Sequence, residues 1–140
     1  KVLPHVFEIS MGIDRSLYTI LEHSLKEDNE HERVVLSLKP YLSPIHVGIL
    51  SLVKKDGLKE KTDEVFLNVK RKFDAFLDHS GAIGRRYRRL DEIGAPFAIT
   101  VDHQTLEDNT VTVRKRDSME QTRISISEID SMISKAIKFP

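Results

Sequence analysis

Four arginines crowd into five positions, Arg85, Arg86, Arg88 and Arg89, inside the stretch Ser80–Pro96 (SGAIGRRYRRLDEIGAP). A guanidinium combines a planar stacking surface with a fork of donors that fits carboxylate or phosphate. Only Asp91 and Glu92 lie close by in sequence, too few to neutralise four cations locally. The plainer explanation is a solvated helix face with i,i+4 pairs such as Arg88 to Glu92. Charge alone leaves a solvated face and nucleic-acid binding both open.

Other chemistries find little support. The six histidines never fall four apart on one helix and no HExxH occurs, so no metal site is expected. Neither a phosphate-cradling GxxxxGK nor a dinucleotide GxGxxG is present. Asp78, His79 and Ser80 are consecutive, and adjacent residues cannot face one another as a nucleophilic triad does. Without cysteine there are no disulfides, thiolate nucleophiles or cysteine-ligated zinc, which fits a cytoplasmic setting. Lys+Arg and Asp+Glu balance at 22 each, so any affinity for RNA must come from local clustering. No apolar run approaches the roughly 20 residues of a membrane span, and the opening residues carry no leader-like apolar core. A chain of 140 residues holds one full domain and part of another.

The arginine stretch reads as a short helix, capped at Ser80 or Gly81 and stopped by Gly94 and Pro96. Ile83, Tyr87, Leu90 and Ile93 give it one apolar stripe to press on a sheet, with the arginines pointing sideways or outward. Upstream, Lys1–Ser10 reads as extended and Met11–Leu25 as a helix, followed by a polar run and a short strand near Val34–Leu38. Pro40 and Pro44 mark a boundary. Beyond it come a buried strand (Ile45–Val53), a turn at Asp56-Gly57, an amphipathic helix (Leu58–Phe73) and a strand (Ala75–Asp78). After the arginine helix the pattern predicts a strand (Phe97–Val101), a polar turn through Asn109, and a hairpin of Val111–Arg116 with Gln121–Ile126. A final helix starts at a Ser127–Asp130 capping box. Strand–helix alternation followed by consecutive strands implies a mixed sheet with helices on both faces.

SGAIGRRYRRLDEIGAPFAITVD and TVTVRKRDSMEQTRISISEI together resemble the C-terminal anticodon-binding domain of the homodimeric class II glycyl-tRNA synthetases. That family runs close to SGSIGRRYxRxDEIG and TVTxRxRDSMxQxRxxI. His5, Val6, Glu8, Ser10, Gly12 and Arg15 resemble its motif 3, HVxEPSxGxxR, with Ile9 in place of the usual proline. The resemblance implies an α/β fold. Residues 1–39 are then the end of the catalytic domain with a linker, and 40–140 a three-layer α/β/α anticodon-binding domain of five strands and three helices.

It also implies a function: part of an enzyme that attaches glycine to its tRNA using ATP, with magnesium expected, and that works as a cytoplasmic homodimer. Glu8 and Ser10 are expected on the ammonium group of glycine and Arg15 on the triphosphate. The other class II motifs are absent from these residues, so no catalytic residue or cofactor is assigned to the fragment and it is expected to be inactive alone. For the anticodon, Arg85, Arg86, Arg89, Arg114, Arg116 and Arg123 are expected to stack on or bond to unpaired nucleotides. Asp78, Asp91 and Glu92 are the expected acceptors for cytosine amines. Asp91 serves equally well as a structural partner for an arginine. DNA and membranes are not expected partners. Two readings compete: a synthetase-like module such as a polymerase accessory subunit, and a prolyl, threonyl or histidyl synthetase.

Overall fold

The computed structural model describes residues 2–53 and 57–139, so Lys1 and Asp56 of the expected extended segment and turn lie outside the described residues. Residues 2–12 form no regular element, and helix α1 (Ile13–Ser24) follows with none of its side chains buried. Where the sequence suggests a polar loop, strand β1 (Leu25–Asp28) pairs antiparallel with β2 (Arg33–Leu36), Leu25 opposite Leu36. Leu25-Lys-Glu-Asp is too polar to read as a strand, and its pairing supplies the order. A 3₁₀ turn at Pro40–Leu42 then leads into the main sheet.

Five strands make that sheet, with β3 (Val47–Ser51) in the interior and fully buried, as its apolar run implies. Helix α2 (Leu58–Lys70) returns the chain to β4 (Ala75–Asp78), and α3 (Ile83–Glu92) carries it to β5 (Phe97–Val101). Both strands run parallel to β3, one on each side. A short helix α4 (His103–Asp108) occupies the expected polar turn. It is closed by a capping box in which Asp102 accepts from the Thr105 N–H. Strands β6 (Thr110–Lys115) and β7 (Gln121–Ser125) follow as an antiparallel hairpin, giving the order β4-β3-β5-β6-β7. Helix α5 (Ile129–Ile137) ends the fold. Its capping box lies at Ser125 with Glu128, two residues earlier than the spacing suggests, ahead of a 3₁₀ turn.

Strand alternation divides the core. Val47, Ile49, Ile99, Val101, Val111 and Val113 face α2 and α5, meeting Leu58, Val65, Val69, Ile129 and Ile133. On the opposite face Leu50 and Ala98 meet Leu90, Ile83, Tyr87 and Ile93, the expected stripe of α3. Leu90 sits over Gly48, and a Cβ there would come within 2.2 Å of its side chain. Helix α3 covers the β3 and β5 part of this face. The β1–β2 hairpin packs beside the helix, burying Val35 and Leu38. The expected division at 39/40 therefore separates segments that touch.

Candidate nucleic-acid interface

The alternation that buries Val111 and Val113 sends Thr110, Thr112 and Arg114 to the α3 side of the sheet, and on β7 it sends Gln121, Arg123 and Ser125 there too. Helix α3 reaches as far as Arg114, whose guanidinium lies 5.0 Å over the Tyr87 ring. Beyond it, Gln121 is exposed, and Thr110, Thr112, Arg123 and Ser125 are partly exposed. The result is an open polar strip of sheet with the arginine helix along one side.

The four arginines of α3 and the three at 114, 116 and 123 sort into distinct environments. Arg85 and Arg88 are exposed on the outer face of α3, with no ion-pair partner among the described residues. Arg89 is half-exposed and donates from Nε and Nη2 to Asp78 Oδ2 (2.9 and 2.5 Å) and from Nη2 to the Ser80 carbonyl. Arg123 donates from both terminal nitrogens to Asp102 (2.8 Å each).

The other three run against expectation. Arg86 is 3% exposed and donates from Nη1 to the carbonyls of Ser51 and, more weakly, Asp78, at the ends of β3 and β4. It points inward because the helical turn places it between the apolar stripe and Arg89. Arg114 donates twice to Asp91 (2.8 and 3.0 Å). Arg116, 2% exposed, reaches the Gly94 and Leu38 carbonyls and its neighbour Asp117. These three are buried supports, not outward-facing contacts, and the same holds for Asp91 at 1% exposure. Asp78 is buried too and engaged by Arg89 and the Ser80 N–H. Of the expected acceptors only Glu92 is exposed.

Arg33 of the hairpin, unremarked in the sequence, joins this framework. It donates to Asp28 (2.8 Å), Asp91 (3.0 Å) and the Arg116 carbonyl (2.8 Å), making a charge-balanced chain Asp28–Arg33–Asp91–Arg114. Electrostatics follow the pairings. Hydrogen bonds from Arg123 hold the Asp102 carboxyl down at about 2, and those from Arg33 and His31 hold Asp28 at about 2. Burial works to raise Asp78, but the Ser80 and Arg89 donors outweigh it and the group stays below the usual range. Burial lowers Arg86.

Glu8, Ser10 and Arg15 sit elsewhere, exposed on the N-terminal segment and the first turn of α1. Ser10 and Arg15 line one open concavity with Gly12 and Tyr18, and the structure does not bring them to the arginines of the sheet domain. Sequence reasoning missed Tyr87, Asp102, Thr110, Thr112 and Gln121 as parts of the site. The threonines carried a readable signal, since they alternate with Val111 and Val113 on the face opposite the core.

The chain is 52% identical to the glycine–tRNA ligase of Methanothrix thermoacetophila and 50% identical to that of Methanocaldococcus jannaschii, over 99% of its own length in each case. It spans about a quarter of the length of these relatives (25% and 24%). Among solved structures, prolyl-tRNA synthetase from Cryptosporidium parvum superposes with a TM-score of 0.66 at 28% identity, covering 73% of this chain and 22% of that one. The RNA binding domain of threonyl-tRNA synthetase from the same organism shares the fold, with a TM-score of 0.67 at 23% identity over 74% of this chain and 26% of that one. Residues 46–136, which hold all five strands of the main sheet, the helices α2 to α4 and all but the last residue of α5, match the anticodon binding domain family, and the chain belongs to it.

Proposed function

We propose that this chain is the anticodon-reading end of a glycine–tRNA ligase and that the unpaired loop of glycine tRNA lies across the open strip of the sheet. The observation that carries the binding mode is the strip itself: polar, uncovered and flanked by an arginine helix. Single-stranded RNA is recognised by such surfaces through splayed, stacked bases. The name of the relatives supports glycine as the amino acid. Arg85 and Arg89 suit the phosphates beside the strip, Glu92 suits the exocyclic amine of a cytosine, and Arg123 lies on the floor. Arg86, Arg114, Arg116, Asp78 and Asp91 hold these elements in place.

In the longer protein, ATP would meet Arg15, and Glu8 with Ser10 would suit the glycine ammonium. Residues 1–39 would then complete a catalytic domain built mostly from other parts of the chain, with 40–140 as the tRNA-reading domain. Magnesium with the ATP, a homodimeric assembly and a cytoplasmic location belong to the same reading.

A gel-shift comparison of glycine tRNA with a version carrying a swapped anticodon tests it. Preference of about tenfold for the native anticodon is expected, within the range of a single base contact. Equal binding of the two would overturn the reading.

A further inference from the structure

We propose that Arg123 serves RNA as a stacking platform, presenting the flat of its guanidinium to an unpaired base and no hydrogen bond to a base edge. The inference rests on the anticodon reading above.

A guanidinium has five N–H donors, and each of those on Arg123 already has an acceptor within the protein. Nε donates to Thr110 Oγ1 (2.6 Å). Nη1 donates to Asp102 Oδ2 (2.8 Å) and Thr112 Oγ1 (3.2 Å). Nη2 donates to Asp102 Oδ1 (2.8 Å) and the Thr110 carbonyl (3.4 Å). The in-plane edge is therefore spent, yet the side chain keeps 28% of its surface. What remains to offer a ligand is a face of the plane.

Charge points the same way. Asp102 neutralises Arg123 at contact distance, so the pair is a poor attractor of phosphate, whereas stacking depends on the flat surface and not on net charge. The three partner residues, Asp102, Thr110 and Thr112, also lock the side-chain torsions, which removes the ordering cost a free arginine would bear on binding.

The same face of the sheet already sets a carboxylate-tied arginine against an aromatic ring. Arg114 has two nitrogens tied to a carboxylate, Asp91, and its guanidinium carbon lies 5.0 Å from the centre of the Tyr87 ring. Thr112 stands opposite Arg123 in the β6–β7 ladder, two residues from Arg114. Arg123 is thus the outer neighbour of Arg114 on the same face, tied to a carboxylate in the same way. Base identity must then be read by other groups on the strip, of which the exposed amide of Gln121 stands two residues away on the same strand.

The test uses an RNA hairpin bearing the anticodon loop of a glycine tRNA, scanned with one abasic nucleotide at a time. With the unmodified chain, one position is expected to lose about tenfold in affinity when abasic, and far less when its base is exchanged for any other. In an Arg123→Lys variant, which keeps the charge and loses the plane, binding of the intact hairpin falls by about the same factor. The abasic nucleotide at that position then costs nothing more. An unchanged slope of affinity against salt in this variant is expected as well. Thermal unfolding of Arg123→Lys alongside the unmodified chain separates lost stacking from lost fold. Base-specific losses at the coupled position, or no coupled position at all, would overturn the platform while leaving the anticodon reading intact. Failure of the unmodified chain to bind the hairpin would overturn both.

Discussion

Arg85 and Arg86 are neighbours in the chain and have opposite surroundings. The first stands in solvent with no ion-pair partner among the described residues, and the second is closed off between strand ends with its Nε unpartnered. Substituting them should therefore separate binding from stability. Arg85→Ala is expected to leave unfolding by urea within about 0.5 kcal/mol of the parent. It should also weaken tRNA binding and reduce the slope of log affinity against log salt by about 0.7, the value for one lost phosphate contact on a single strand. Arg86→Ala should instead lower stability by about 1–3 kcal/mol, because two buried carbonyls lose their donor. A fully stable Arg86→Ala chain that binds tRNA poorly would reverse this assignment. Asp102 provides a pH test. Its carboxyl is depressed from 3.8 to about 2 in the fold, so its stabilisation is complete above pH 4 and is lost as pH falls through 2. Asp102→Asn should cost about 2 kcal/mol at pH 6 and converge with the parent near pH 2 in thermal unfolding.

Among the elements, the β1–β2 hairpin ties into α3 and β6 through Arg33. Breaking the buried junction by Asp91→Asn leaves two guanidiniums, Arg33 and Arg114, short of a counter-charge, for which a loss of about 3–5 kcal/mol in urea unfolding is expected. Much of the element pattern was legible from spacing. The continuous apolar run marked β3, the stripe Ile83–Tyr87–Leu90 fixed the buried face of α3, and alternation marked β6 and β7. Strand β1 and helix α4 were not legible, for a shared reason. Each is short and polar, and its order comes from partners: the ladder to β2 in one case, the Asp102–Thr105 cap in the other. The arginines were illegible in the same way. Arg123, Arg114 and Arg116 reach acceptors 21, 23 and 78 residues away respectively, and apart from Asp117 beside Arg116 no local pattern discloses them.

At the scale of the molecule, the two groups of expected site residues stand in different surroundings. The anticodon-binding fold has its core, its caps and its open strip, whereas Glu8, Ser10 and Arg15 stand exposed on the N-terminal segment and the first turn of α1. Fixing ATP and glycine for reaction takes several converging groups. The isolated 140 residues should accordingly bind a glycine-tRNA hairpin and give no ATP–pyrophosphate exchange above background. Exchange activity in the isolated chain would show that these few residues suffice.

Gly48 decides more than its size suggests. Leu90 occupies the room its missing Cβ leaves, and together with Ile83, Tyr87 and Ile93 it seats α3 on the sheet. That seating dictates which arginines meet the solvent and which turn to the strand ends, since all four ride on one rigid cylinder. Adding a methyl group at this position would roll the cylinder or lift it. The whole positive fringe along the strip would then shift together, although no charged residue had been touched.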